Sequence, residues 1–132
     1  MVGGFAPLKD IPKTLVFELA KWRNTQSYVI PSRVIERPPS AELAPDQKDS
    51  DSLPSYDILD KVLELYIECD KTPTEISLLG FELLIVQKIA AMVDKNEYKR
   101  RQSAPCVRVT TRAFGRDRRF PITSKYKETE NF

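Results

Sequence analysis

Lys9 and Lys13 stand on either side of a helix start, Asp10-Ile11-Pro12, near the beginning of a 132-residue chain. Backbone N–H groups at such a start favour an anion, so the two lysines can add charge for a phosphate. Solvated lysines are the ordinary alternative. Ser40 follows Pro38-Pro39, which stiffen its approach, so its hydroxyl can be held toward a phosphate or can cap a helix beginning at Ala41. Asp46, Asp49 and Asp51 around Lys48 have the composition of a site for hydrated magnesium, and equally that of a solvated acidic loop. Tyr98-Lys99 sets a ring beside a charge, a pairing suited to a nucleotide. The following Arg100 and Arg101 fit a helix C-terminus, where the macrodipole favours cations.

Much chemistry is excluded. The chain has no histidine, so it holds no Ser-His-Asp or Cys-His pair and no imidazole ligand or switch. Neither a GxxxxGK phosphate loop nor a GxGxxG fingerprint occurs, and no pair of acids has a spacing that nominates it for acid–base work. No catalytic residue is therefore assigned within the chain, and no metal ligand with certainty. Cys69 and Cys106 form no CxxC spacing and read as reduced, partly buried thiols. The most apolar stretch, Ile76 to Val93, is interrupted by Glu82, Gln87 and Lys88 and does not suit a membrane span. The first dozen residues lack the charged-then-apolar order of a signal peptide, so a cytoplasmic location is expected.

The elements that must position these residues are mostly helical. Ile11, Leu15, Leu19 and Trp22 recur at helical spacing and predict a helix over about 11–23, capped by Asp10, with one face in the core. A further short helix is expected between Pro31 and Arg37. Residues 38–56 hold four prolines, several acids and no apolar period, which is a long acidic loop of the kind used as a lid. From Asp57, the residues Ile58, Leu59, Val62, Leu63, Tyr66 and Cys69 make one stripe. Thr72-Pro73-Thr74-Glu75 is a capping box with proline in the first turn, opening a short helix that ends near Gly80. A longer helix is expected from about Glu82 to Gln102, apolar nearly all round between Leu83 and Val93 and so covered on more than one side, by this chain or by a partner. Val107 to Arg112 alternates like a short strand, and the rest of 103–132 reads as an irregular basic arm. The balance of 21 bases to 19 acids hides a segregation. Residues 36–70 carry ten acids and three bases, whereas 99–127 carry ten bases and Asp117 alone among acids. Such segregation points to function or assembly.

Three stretches in order, GGFAPLKDIPKTLVFELAKWRN, ERPPSAELAPDQKDSDSLPSYDILD and DKNEYKRRQSAPCVRVTTRAFGRDRRFPIT, closely resemble the C-terminal part of bacterial glutamine-dependent NAD synthetases. The similarity runs over almost the whole chain and is weakest at 66–90 and after Tyr126. It implies the helical C-terminal portion of an adenine-nucleotide hydrolase-like α/β sandwich, working as a homodimer or larger homo-oligomer. The family's reaction adenylates deamido-NAD with ATP and magnesium. Ammonia from a glutaminase domain then displaces AMP to give NAD. The pyrophosphate loop of the SGGxDS type and the glutaminase residues are expected upstream, so the sequence reads as a fragment, inactive by itself.

By position, Lys13 in DIPKT matches a lysine contacting ATP, and Ser40 in PPSAEL matches a Thr/Ser position contacting ATP phosphates. Lys99 in NEYKRR matches a lysine contacting deamido-NAD. Tyr98, counted with it, takes the place of a histidine found in ammonia-only relatives. Residues 44–56 match a loop that orders over bound nucleotides. The resulting division is 1–37 as helix and ATP-side segment, 38–56 as nucleotide lid, 57–102 as helices and 103–132 as arm. No membrane contact is expected. Two rival readings remain at this point. One is a small nucleic-acid-binding module using the 99–127 arm, with Phe114, Phe120 and Tyr126 as stacking rings. The other is a segment that serves dimerisation only.

Overall fold

The computed structural model describes residues 4–37, 53–112 and 117–123. The chain divides into two compact units, one spanning Pro12–Asp60 and the other Met1–Ile11 with Lys61–Phe132.

In the first unit, α1 (Lys13–Gln26) starts directly after Pro12, whose fixed φ suits a helix entrance. Pro12 supplies no side-chain cap, and Asp60 takes over that role from a distance. Its Oδ2 accepts from the Thr14 backbone N–H at 2.9 Å and from the Thr14 hydroxyl at 2.8 Å. At the other end, Asn24 folds the connection back onto the helix. Its Oδ1 accepts from the N–H groups of Val29 and Ile30 at 3.1 and 3.0 Å, and its Nδ2 donates to the Ile30 carbonyl at 2.8 Å. The short α2 (Ser32–Glu36) follows Pro31. The expected core face of α1 is only half-buried: none of its residues is fully covered, and Trp22 is 59% exposed.

α3 (Tyr56–Leu63) begins in this unit and ends in the next, where a π-helical segment, Glu64–Glu68, continues it. Here the Cys69 N–H reaches the Glu64 carbonyl, five residues back, at 3.2 Å. Val62 and Tyr66 stay on the buried side, but the wider turn carries Cys69 out, so that thiol is exposed where a partly buried one was expected. α4 (Pro73–Ser77) opens with the full capping box: Thr72 Oγ1 accepts from the Glu75 N–H, and the Glu75 carboxylate accepts from the Thr72 N–H at 2.8 Å. Gly80, at φ +100°, turns the chain into α5 (Leu83–Lys95), against which α4 packs.

The core of this unit is Val62, Tyr66, Ile76, Val86, Ile89 and Ala90. Each fully buried aliphatic side chain there contributes about 1.5–3 kcal/mol by leaving water. Only one stripe of α5 is covered; Leu84 is 71% exposed. The single helix expected to Gln102 is in fact broken. At Asn96 the backbone leaves helical geometry, Asn96 Nδ2 donates to the Met92 carbonyl at 2.7 Å, and a separate α6 (Glu97–Arg101) follows.

No strand occurs among the described residues, so the fold is helical as they represent it. The alternation at Val107–Arg112 has another cause. Asp10, expected as a cap, is buried instead and binds this stretch. Its Oδ2 accepts from the N–H groups of Val109 at 2.6 Å and Thr110 at 2.8 Å, and its Oδ1 from the Thr110 hydroxyl at 2.9 Å. One carboxylate thus does locally what a neighbouring strand would do.

Candidate functional site

α6 has two faces set by simple helical spacing. Glu97, Arg100 and Arg101 share one side, at i, i+3 and i+4, leaving Tyr98 and Lys99 on the other. The first side is inward. Glu97 is 1% exposed, pairs with the buried Arg100, and accepts from Arg101 Nε at 3.0 Å. Burying a carboxylate is tolerable only with such partners. The second side faces out. Tyr98 is 44% exposed and Lys99 Nζ lies 5.9 Å from its ring centroid. The ring and charge expected side by side are therefore presented together, on a helix whose opposite face is fixed.

The acidic and basic stretches meet within the same unit. The Arg112 guanidinium grips the Asp70 carboxylate with two nitrogens, one of them at 2.6 Å. Asp70 sits at φ +52°, in the left-handed region an aspartate enters more readily than most residues. The hydrogen bond from Arg112 holds the Asp70 carboxyl below the usual carboxylate range against a smaller opposing desolvation; the charges of Arg112 and Arg118 help. Arg112 is correspondingly raised, first by that same bond. Glu68 accepts from the Arg112 N–H at 2.8 Å and from the Thr111 hydroxyl.

Arg118 donates to the Tyr66 carbonyl, lies 3.9 Å from Asp70, and sets its guanidinium 4.4 and 4.5 Å from the ring centroids of Tyr66 and Phe120. Those two rings stack at 6.2 Å. Arg100 donates to the Arg118 carbonyl, Arg101 to that of Phe120 at 2.6 Å, and Arg108 lies 3.7 Å from Asp117. The described arginines at 100, 101, 108, 112 and 118 are thus engaged inside the chain.

Lys13 is the first residue of α1, exposed, with its Nζ 5.9 Å from the Phe17 ring centroid. It belongs to the first unit, Tyr98 and Lys99 to the second. Lys9, its expected companion, instead donates to the Ala104 carbonyl. Ser40, the acids Asp46, Asp49 and Asp51, and most of the 44–56 loop lie outside the described residues. Among the described residues no group of three or more acids and cysteines is arranged to hold a metal ion, and no helix is long and apolar enough to cross a membrane. Sequence reasoning passed over Glu97, Asp70 and Arg118. The i, i+3 and i+4 spacing from Glu97 to Arg100 and Arg101 was a usable signal; nothing local marked the distant partners of Asp70 and Arg118.

The sequence model of NAD synthase matches residues 1–103. The chain belongs to the NAD synthase family. Within that family it is 60% identical over 129 residues to the glutamine-dependent NAD(+) synthetase of Acinetobacter baylyi, an alignment covering 96% of this chain and 24% of that protein. It is 52% identical over 126 residues to the Aquifex aeolicus enzyme of the same name, covering 96% of this chain and 22% of that one. A solved glutamine-dependent NAD+ synthetase from Acinetobacter baumannii, in complex with adenosine diphosphate, superposes with a TM-score of 0.52 at 51% identity. That match covers 92% of this chain and 21% of the solved one. This NAD synthase family chain spans about a quarter of the length of the curated relatives it matches.

Proposed function

We propose that this chain is the C-terminal portion of the synthetase domain of a glutamine-dependent NAD synthetase, a cytoplasmic homo-oligomer built on an adenine-nucleotide hydrolase-like α/β sandwich. In the reaction, the nicotinate carboxylate of deamido-NAD attacks the α-phosphorus of ATP. Pyrophosphate leaves and an acyl-adenylate forms. Ammonia released from glutamine then attacks the acyl carbon and expels AMP, leaving the amide of NAD.

The chain's own residues bind and orient. Lys13 and Ser40 serve the ATP phosphates with a charge and a hydroxyl, and the 38–56 loop closes over them. Lys99 supplies a compact positive charge to a phosphate or carboxylate of deamido-NAD, beside the ring of Tyr98. Magnesium accompanies the ATP phosphates and offsets their charge. The ADP named with the solved relative is in keeping with the nucleotide role. That Cys69 and Cys106 form no disulfide is in keeping with the cytoplasm.

The observation that carries the reading is the exposed Tyr98–Lys99 pair on a helix anchored through Glu97 and Arg100. The test is steady-state kinetics on the complete synthetase, each substrate varied separately. Lys99→Ala should raise the KM for deamido-NAD about tenfold to a hundredfold, the equivalent of one charge-assisted hydrogen bond of about 1.5–3 kcal/mol, and leave the ATP term within twofold. A change confined to the ATP term, or loss of oligomeric state alone, overturns it.

A further inference from the structure

α6 is five residues long, too short to hold its own geometry in water. What holds it lies elsewhere in the chain. Two contacts fasten its inner face to another segment, Arg100 to the Arg118 carbonyl and Arg101 to the Phe120 carbonyl at 2.6 Å, while Glu97 pairs with both arginines inside the helix. Both depend on where residues 118–120 lie. That segment is itself anchored through one side chain, since Arg118 bonds the Tyr66 carbonyl, rests against the Tyr66 and Phe120 rings, and lies 3.9 Å from Asp70. Tyr66 is 2% exposed and part of the core, so the anchor point does not move with the surface. A continuous path therefore runs from the core through the Arg118 side chain and the 118–120 backbone to the inner face of α6, with Tyr98 and Lys99 on its outer face.

We propose that residues 118–120 form a strap that fixes α6, and that Arg118 is a positioning residue for the Lys99 contact with deamido-NAD. The inference rests on the Lys99 assignment made above and deepens it. It also gives one base of the arm, Arg118, a role inside the chain. A lysine at 118 keeps the charge but loses the planar, multi-donor head that bonds a carbonyl and packs on two rings at once.

The test compares Arg118→Ala, Arg118→Lys, Phe120→Leu, Lys99→Ala and the Arg118→Ala/Lys99→Ala double variant in the complete synthetase. Amide hydrogen exchange at 97–101 is measured beside kinetics with each substrate varied separately. Arg118→Ala should speed exchange at α6 about tenfold or more and raise the KM for deamido-NAD about tenfold, with kcat and the ATP term within twofold. Arg118→Lys and Phe120→Leu should fall between it and the parent, which keeps the proposal testable if the alanine variant folds poorly. Because Arg118 acts through Lys99, the double variant should be no worse for deamido-NAD than Lys99→Ala alone.

Unchanged exchange at 97–101 in all three strap variants overturns the proposal, as does a double variant whose defects multiply, or an equal loss in every kinetic term. A Lys99→Ala variant with parental kinetics removes the Lys99 assignment and this proposal with it. A strong Lys99→Ala effect beside a silent Arg118→Ala removes the proposal alone.

Discussion

Glu97→Gln is the sharpest single test of how α6 is built. Glu97 is 1% exposed and Arg100 8%, so the substitution removes the negative member of a buried pair from beside its guanidinium. Breaking a buried pair from one side costs about 3–5 kcal/mol. Arg100 retains the carbonyl of Arg118, which places the cost at the low end, about 3 kcal/mol. Arg101, whose side chain is 41% exposed, adds at most about 1 kcal/mol because water screens that pair. With a urea slope of about 2 kcal/mol per molar, the unfolding midpoint should fall by about 1.5–2 M. The second arm is Glu97→Gln with Arg100→Met. Removing both charges and filling the space with apolar atoms should recover most of the loss, because replacing a buried pair is far cheaper than breaking it. Urea unfolding followed by far-ultraviolet circular dichroism reads both. A single variant within about 0.5 kcal/mol of the parent, or a double variant less stable than the single, would refute the reasoning.

Asp10→Ala should cost about 2 kcal/mol and speed exchange at the Val109 and Thr110 amides, since their N–H groups lose a buried acceptor; unaltered exchange there would mean the carboxylate holds nothing. Asp70 has a depressed native pKa, so its contribution to docking the arm is complete above the unfolded value of about 3.9 and is lost as pH falls through the still lower native one. Protection of Thr111 and Arg112 amides, corrected for intrinsic exchange, should be level from pH 7 to about 5 and fall only below about 4, and Asp70→Asn should lessen that fall, the Arg112 N–H keeping its Glu68 acceptor; a loss between pH 7 and 5 would contradict the assignment. Among the described residues five arginines, at 100, 101, 108, 112 and 118, are engaged inside the chain, so single-stranded DNA should not bind tightly through them with a steep salt dependence, and a filter or anisotropy titration that finds such binding would restore the nucleic-acid reading.

Where the sequence was legible, a local rule governed the outcome. The Thr72 capping box and the turn at Gly80 are decided by residues within four positions of one another, and both form as their spacing dictates. The Tyr98–Lys99 pair is legible for the same reason. The break at Asn96 was hidden because residues 94–102, polar apart from Tyr98, hold neither glycine nor proline to mark a helix end; at the break the Asn96 side chain bonds back to the Met92 carbonyl. Asp10 shows the other limit. Its position before Pro12 fits a cap, but it binds a segment about a hundred residues away, and tertiary hydrogen bonds of that reach leave no local signature. The same holds for Arg118. Its charge was counted with the arm, whereas its role depends on two rings and a carbonyl brought in by the fold.

The π-helical turn at Glu64–Glu68 has a consequence for tolerated chain length. It holds one residue more than an α-helical turn would, just upstream of the two carboxylates, Glu68 and Asp70, that receive Thr111 and Arg112. Deleting one residue there would let the turn relax to ordinary α-helix, and because the extra residue is taken up within the turn itself, the chain on either side would stay nearly in register. Val62 would stay seated in the core, and both carboxylates would stay near the arm they hold. One residue fewer is thus better tolerated in this turn than in the α-helix before it, where a single deletion rotates everything after it by about 100° and draws it back about 1.5 Å.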